Sequence, residues 1–294
     1  VRYDDATLNV LDIPVFYAPF ISHPTPFAES KTGFLSPEIG RSSDFGGYLV
    51  VPYYYQPKAN MDFTFRPMIT TEDGPLLEVE HRHLLTYGEY EMKVSGVYPE
   101  ERDNQGDLVP GGDREFRGHI EGFGEFNLSD EWKVGFEGER TTDDTYLQRY
   151  NLKYEDLLTS EAYAERIDER DFLSIKALSF QGLRDNDDPD ISPYILPQVR
   201  SDTVYEISDE YNQRISLGFD GLVLKRSEGP EVNRIISDIK WSANHVTDKG
   251  HVFDLNLSSR LDYYLIDDQT FRGQDFQDDI ARFIPTADLT WRYP

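Results

Sequence analysis

Two histidines one residue apart, His81 and His83, are the first place to look for chemistry. In an extended chain they share one face, which suits a metal site when a third ligand joins them. The sequence offers none nearby, so they read as a surface or lumen pair. The run Asp185-Asn186-Asp187-Asp188-Pro189-Asp190 spaces oxygen ligands somewhat like a calcium loop. It lacks the central glycine and terminal glutamate of such a loop and reads as solvated. Serine-based acyl transfer needs a strained turn such as G-x-S-x-G, which is absent, and zero cysteines exclude thiol chemistry. Carboxylates are so plentiful that no acid and base pair stands out. The reading is a protein that is not an enzyme, with no catalytic residue, no cofactor and no metal centre.

Three prolines carry a different kind of information. Pro37, Pro52 and Pro67 fall 15 residues apart, each inside a stretch that otherwise reads as strand. Proline brings no N–H to a ladder, so strands that carry it belong at edges or weak seams. Three in succession predict a sheet built to come apart there.

The elements around them alternate with period two from end to end, the mark of strands with one apolar and one polar face. Met61, Phe63, Phe65 and Ile69 oppose Asp62, Thr64, Arg66 and Thr70; Phe253, Leu255, Leu257, Leu261, Tyr263 and Leu265 oppose Asp254, Asn256, Ser258, Arg260 and Asp262. Gly118, Gly122 and Gly124 lie on an apolar face and read as relief of sheet curvature. Fourteen strands are predicted, over 33–42, 46–56, 61–71, 75–85, 89–98, 113–128, 132–141, 157–168, 171–182, 194–206, 211–224, 232–247, 250–265 and 277–292. Such lengths suit a tilted membrane-spanning barrel better than a soluble sandwich.

Connections alternate in the same way. Tight turns at 57–60, 87–88, 129–131, 169–170, 208–210 and 247–249 interleave with longer polar loops at 99–112, 142–155, 184–192, 227–231 and 267–274. This parity is that of the periplasmic and extracellular ends of an outer-membrane barrel. Tyr98, Trp132, Tyr150, Tyr263, Tyr264, Trp291 and Tyr293 are expected to form the aromatic girdles. Glu78, Glu80, Arg82, Arg117, Glu121, Glu125, Asp254, Arg260 and Asp262 are expected to line a wet, charged lumen suited to a hydrophilic sugar.

Of the 294 residues, 55 are Asp or Glu against 29 Lys or Arg, a formal charge of -26 that disfavours nucleic-acid binding. With 14% aromatic residues, the chain is also unlike a disordered acidic one. No stretch has the length of a membrane helix. Apolar strands at 6–10 and 13–21 are followed by His23-Pro24-Thr25-Pro26. Residues 1–30 are therefore read as the end of a preceding β domain with its linker, or as a strand pair packed in the barrel mouth, and residues 31–294 as barrel. The start at Val1 lacks an initiator methionine and a signal pattern, so a mature chain or an excised piece is expected.

Ile13-Pro14-Val15-Phe16-Tyr17-Ala18-Pro19-Phe20, Gly33-Phe34-Leu35-Ser36-Pro37, Pro52-Tyr53-Tyr54-Tyr55 and Ala59-Asn60-Met61-Asp62, with Glu80-His81-Arg82 and Leu289-Thr290-Trp291-Arg292-Tyr293-Pro294, resemble the outer-membrane lipopolysaccharide-assembly family LptD (OstA, organic-solvent-tolerance protein). The resemblance implies an all-β fold: the last strands of a periplasmic β-jellyroll, then about the first half of an antiparallel transmembrane β-barrel of roughly 26 strands. It implies lipopolysaccharide as cargo, a plug lipoprotein LptE, a periplasmic bridge protein LptA and contact with outer-membrane lipids. It also implies that Pro37 and Pro52 belong to a lateral gate between the first and last strands. Pro67 continues the series with less to assign it there. The family's disulfide cysteines are absent and are expected outside this stretch. An outer-membrane porin or substrate-specific channel shares the alternation but gives no reason for the prolines. A soluble polysaccharide-binding or polysaccharide-degrading β protein is the alternative from another class, separable by its independence of detergent.

Overall fold

The computed structural model describes residues 2–10, 13–22, 31–100, 109, 112–209, 211–271 and 274–293. Alternating sequence gives strands almost everywhere. β1 (Arg2–Val10) and β2 (Ile13–Ser22) form an antiparallel pair of their own. His23–Pro26 lies outside the described residues, and so does most of the loop expected at 99–112.

A second sheet of sixteen strands follows. It contains β3 (Gly33–Phe34), β4 (Glu38–Ser42), β5 (Gly46–Val50), β6 (Tyr53–Lys58), β7 (Met61–Thr70), β8 (Pro75–Leu85), β9 (Gly88–Val97), β10 (Arg117–Asn127) and β11 (Trp132–Thr141). After one helical turn, α1 (Tyr146–Arg149), come β12 (Leu157–Asp168), β13 (Asp171–Gly182), β14 (Tyr194–Ser208), β15 (Gln213–Lys225), β16 (Glu231–Val246), β17 (Val252–Phe271) and β18 (Gln274–Arg292). Each strand pairs antiparallel with its neighbours in the order expected of an up-and-down meander. The sheet is unclosed among the described residues, with the first strand at one edge and β18 at the other.

Strand register sorts side chains into alternating rows. Thr64, Glu80, Lys93, Glu121 and Glu139 stand side by side across five strands, and so do Arg200, Asp220, Ile236, Asp262 and Arg282. The rows one residue along face the other way: Phe65, Val79, Val94, Ile120 and Arg140, and Val199, Gly221, Ile235, Tyr263 and Ala281. One wall is thus charged and the other mostly apolar, with Val94, Ile120, Ile235 and Tyr263 left exposed. An exposed apolar wall this large is what a lipid-facing surface requires.

Three expectations need correction. The strands predicted at 33–42 and 46–56 are each broken in two, β3 from β4 and β5 from β6, at Pro37 and Pro52. The loop expected at 267–274 is largely strand, because β17 and β18 continue pairing up to Phe271 and Gln274. Two residues leave the expected girdles. Tyr150 is buried on the charged side, and Tyr264 stands beside Arg234 under the Arg282 guanidinium. Trp291 and Tyr293 are exposed at the short-turn end and Tyr98 is exposed at the loop end.

The buried apolar cluster lies at the loop end of the charged wall. It joins Phe45, Val50, Met68, Leu76 and Val97 of the first strands to Tyr146, Leu147, Tyr150, Leu158 and Leu183. The segment between β11 and β12 therefore folds back over the sheet.

Candidate functional site

The first two strands are where local sequence most disturbs the ladder. Phe34 is opposite Tyr53 and Glu38 is opposite Val50, so three residues, 35–37, face two, 51–52. This is a β-bulge at the proline, and it leaves β3 with two paired residues below the break.

Alternation of backbone hydrogen bonds says which seam each proline weakens. The Thr71 N–H donates to Gly47 O at 2.9 Å and the Val51 N–H donates to Pro67 O at 3.3 Å, so odd-numbered residues of the second strand turn toward β7. Val50 and Pro52 then turn toward the first strand, where Pro52 O accepts from the Leu35 N–H at 2.8 Å. Pro52 cannot return that bond, and Pro67 cannot return the one from Val51. Along β4, Glu38, Gly40 and Ser42 face β5, opposite Val50, Tyr48 and Gly46. By the same alternation Pro37 turns outward, to the unpaired edge. The three prolines thus remove one donor each from three successive seams: the open edge, first to second strand, and second to third. β7 itself stays continuous through Pro67.

The expected lumen residues all stand on the charged wall, most of them in ion pairs. Arg82 grips Asp62 with two bonds, at 3.0 and 3.2 Å, and lies 3.5 Å from Glu80. Arg66 bridges Glu78 and Glu38 at 3.4 and 3.5 Å. Glu125 meets Lys133 at 3.0 Å and accepts from the Tyr163 hydroxyl at 3.2 Å. Asp254 accepts from Asn244 and Arg292. Asp262, almost wholly buried, is held by Arg260 at 2.6 Å and Arg282 at 2.9 Å. These carboxylates are therefore each met locally by arginine or lysine.

His81 and His83 do share a face, on the aromatic side. His81 stacks on Phe63 with ring centres 4.2 Å apart, and the Tyr90 hydroxyl lies 3.0 Å from His81 Nε2 and 3.3 Å from His83 Nδ1. A different cluster, which the sequence reading missed, brings ligand atoms of His119, Glu121 and Glu139 within 4.8 Å of one another. The Lys153 ammonium reaches into it, bonded to Glu139 and 3.6 Å from Glu121. That position of a fixed cation makes the cluster an ion-pair network.

The other missed residues belong to the infolded segment 142–156. Arg117 holds its base through Asp143 at 2.8 Å and Thr145 at 2.7 Å. Burial alone would raise the Asp143 carboxyl, but the Arg117 guanidinium, with Thr142 and Thr145, outweighs it and holds the group below the usual range. Burial pushes the Tyr146 hydroxyl up to about 12, although it donates to Ser95 at 2.8 Å. Burial, then the Asp73 carboxylate, raise Tyr150 as well. Tyr146, Leu147, Tyr150 and Leu152 within a nominal surface loop were the available signal, since a solvated loop has no use for four large apolar side chains.

Residues 115–294 match the family LptD, described as LPS transport system D, over more than half the chain. The chain belongs to the LptD family. It is similar to curated proteins named LPS-assembly protein LptD. One, from Pseudomonas aeruginosa (strain UCBPP-PA14), is 33% identical over 143 residues, 49% of this chain and 14% of the relative. Another, from Marinobacter nauticus, is 42% identical over 91 residues, 31% of this chain and 11% of the relative. A third, from Pseudoalteromonas translucida, is 29% identical over 160 residues, 54% of this chain and 20% of the relative. The aligned stretch thus spans a small part of the length of these LptD relatives. The family match begins at residue 115, after β9, and so does not reach Pro37, Pro52 or Pro67.

Proposed function

We propose that this LptD-family chain is part of an outer-membrane translocon that inserts lipopolysaccharide into the outer leaflet through a lateral gate at its first hairpin. The observation that carries the reading is the proline-broken first hairpin at the open edge of a sheet with one charged and one apolar wall. In a closed barrel the last strand would pair at that edge, through a seam already short of donors. A missing ladder bond is worth about 1 kcal/mol, enough to favour opening without unfolding a barrel. Acyl chains would leave sideways there, and sugars would follow the paired charges of Glu78, Glu80, Arg82, Arg117, Glu121, Glu125, Asp254, Arg260 and Asp262. Arginine, lysine or divalent cations would offset repulsion of phosphates by the acidic wall. Residues 1–30 would end a periplasmic domain that receives lipid from LptA, and LptE would plug the lumen. The work is transport, without catalysis.

The test is Pro37→Ala with Pro52→Ala in the full-length protein, assayed for lipopolysaccharide arriving at the cell surface. Restored donors strengthen two seams, and slower export is expected. Unaltered export in the double variant argues against the gate. A porin reading predicts instead that depletion abolishes solute uptake and leaves surface lipopolysaccharide unchanged.

A further inference from the structure

The two halves of the first hairpin are held very differently. Toward the short turns, the broken strand has the two-residue pairing of β3 with β6. Toward the loops, β4 and β5 pair over five residues, and their tip is gripped from the charged side by the segment 142–156. The Arg149 guanidinium donates to Asp73 at 2.8 and 3.1 Å and to the backbone oxygen of Asp44, in the tip of the first hairpin, at 2.7 Å. The Tyr150 hydroxyl donates to the same Asp73 carboxylate at 2.8 Å. Phe45, in the same tip, is 1% exposed, with its ring stacked 5.7 Å from that of Tyr150. Asp73 itself is fixed in the next turn, where its N–H donates to Thr70 Oγ1 at 3.0 Å.

We propose that segment 142–156 is a latch that holds the loop-side end of the first hairpin against the barrel wall, with the Asp73 carboxylate as its catch. The proposal rests on the lateral-gate reading and adds an order of events. The proline-weakened end yields first, and separation along the whole strand waits until Arg149 and Tyr150 leave Asp73. A segment that merely filled space would need no convergent charged contacts on both neighbouring hairpin tips. A latch does, because a bidentate guanidinium pair is directional and releases as a unit.

The experiment is hydrogen exchange of the full-length protein, assembled with its plug partner in lipid nanodiscs, comparing wild type with Asp73→Asn. Loss of a charge-assisted contact is expected to speed exchange over residues 42–50 about tenfold, while residues 213–265 stay as in wild type. Asp144→Asn, in the same loop but outside the catch, is expected to leave 42–50 unchanged. If Asp73→Asn does not assemble, Tyr150→Phe keeps the ring, removes one bond and is expected to give about a threefold change. Exchange over 42–50 within experimental error of wild type in the assembled variant overturns the latch. The two readings fail separately: a gate failure shows as unaltered export in the proline double variant while Asp73→Asn still speeds exchange. A latch failure leaves exchange unmoved whatever the prolines do.

Discussion

At the scale of single residues, the infolded segment is held by ionisable groups whose protonation is fixed by burial and by named partners. Asp143 is held below the usual carboxylate range, so its contribution to docking is fully present above the unfolded value of about 3.9. That contribution is lost as pH falls through the lower folded value. Tyr146 is raised to about 12, so the unfolded segment ionises first as pH climbs past about 10, and docking is lost toward 12. An environment-sensitive dye on an Asp144→Cys variant of the full-length protein should report a docked segment from about pH 5 to 9. It should report release at both extremes; a signal that stays unchanged through the acid and the alkaline extreme alike would show that these groups do not hold the segment.

At the scale of elements, proline position matters more than proline number. Pro37 and Pro52 interrupt their strands and Pro67 does not, although all three lack the same donor. Between Pro37 and Pro67 the difference lies in the neighbours, whereas the second strand pairs on both sides and breaks at Pro52 opposite the bulge of the first. β7 is paired on both sides, with β5 and β6 on one and β8 on the other, so one absent bond leaves it extended. The first strand pairs on one side and bulges. Pro67→Ala should return a donor to Val51 O and slow exchange of residues 48–54 about fivefold, equivalent to about 1 kcal/mol. It should leave β4, beyond the next seam, unchanged, and exchange that slows equally across all three strands would contradict the assignment of one proline to one seam. The tip of the first hairpin adds a steric requirement. Gly46 has φ 76° and a Cβ there would run into Thr71 Oγ1; its absence lets the two tips approach closely enough for the Arg149 guanidinium to reach both.

At the scale of the whole molecule, the sheet has two open edges among the described residues, and a long unpaired edge recruits other chains. Residues 31–294 refolded alone in detergent should therefore associate through their edges and lack the heat-modifiable mobility of a closed barrel. The full-length protein, in which the relatives' remaining length is available for further strands, should be heat-modifiable. A heat-modifiable monomer from residues 31–294 would show that these strands close on themselves.

The sequence by itself determined most of the strands, their order, the charged and apolar walls, and the family resemblance. Each rests on a local rule, the period of two or the chemistry of a turn, that neighbours in sequence already obey. Tertiary structure decided what depends on register and long-range packing. Register assigned Pro37, Pro52 and Pro67 to three different seams, because the direction of a missing N–H follows from which residue it faces. Packing turned the loop at 142–155 inward and brought Tyr150 from an expected girdle to Asp73, 77 residues away in sequence. No local pattern encodes that contact, since it exists only once two hairpin tips and a loop meet on the same side of the sheet.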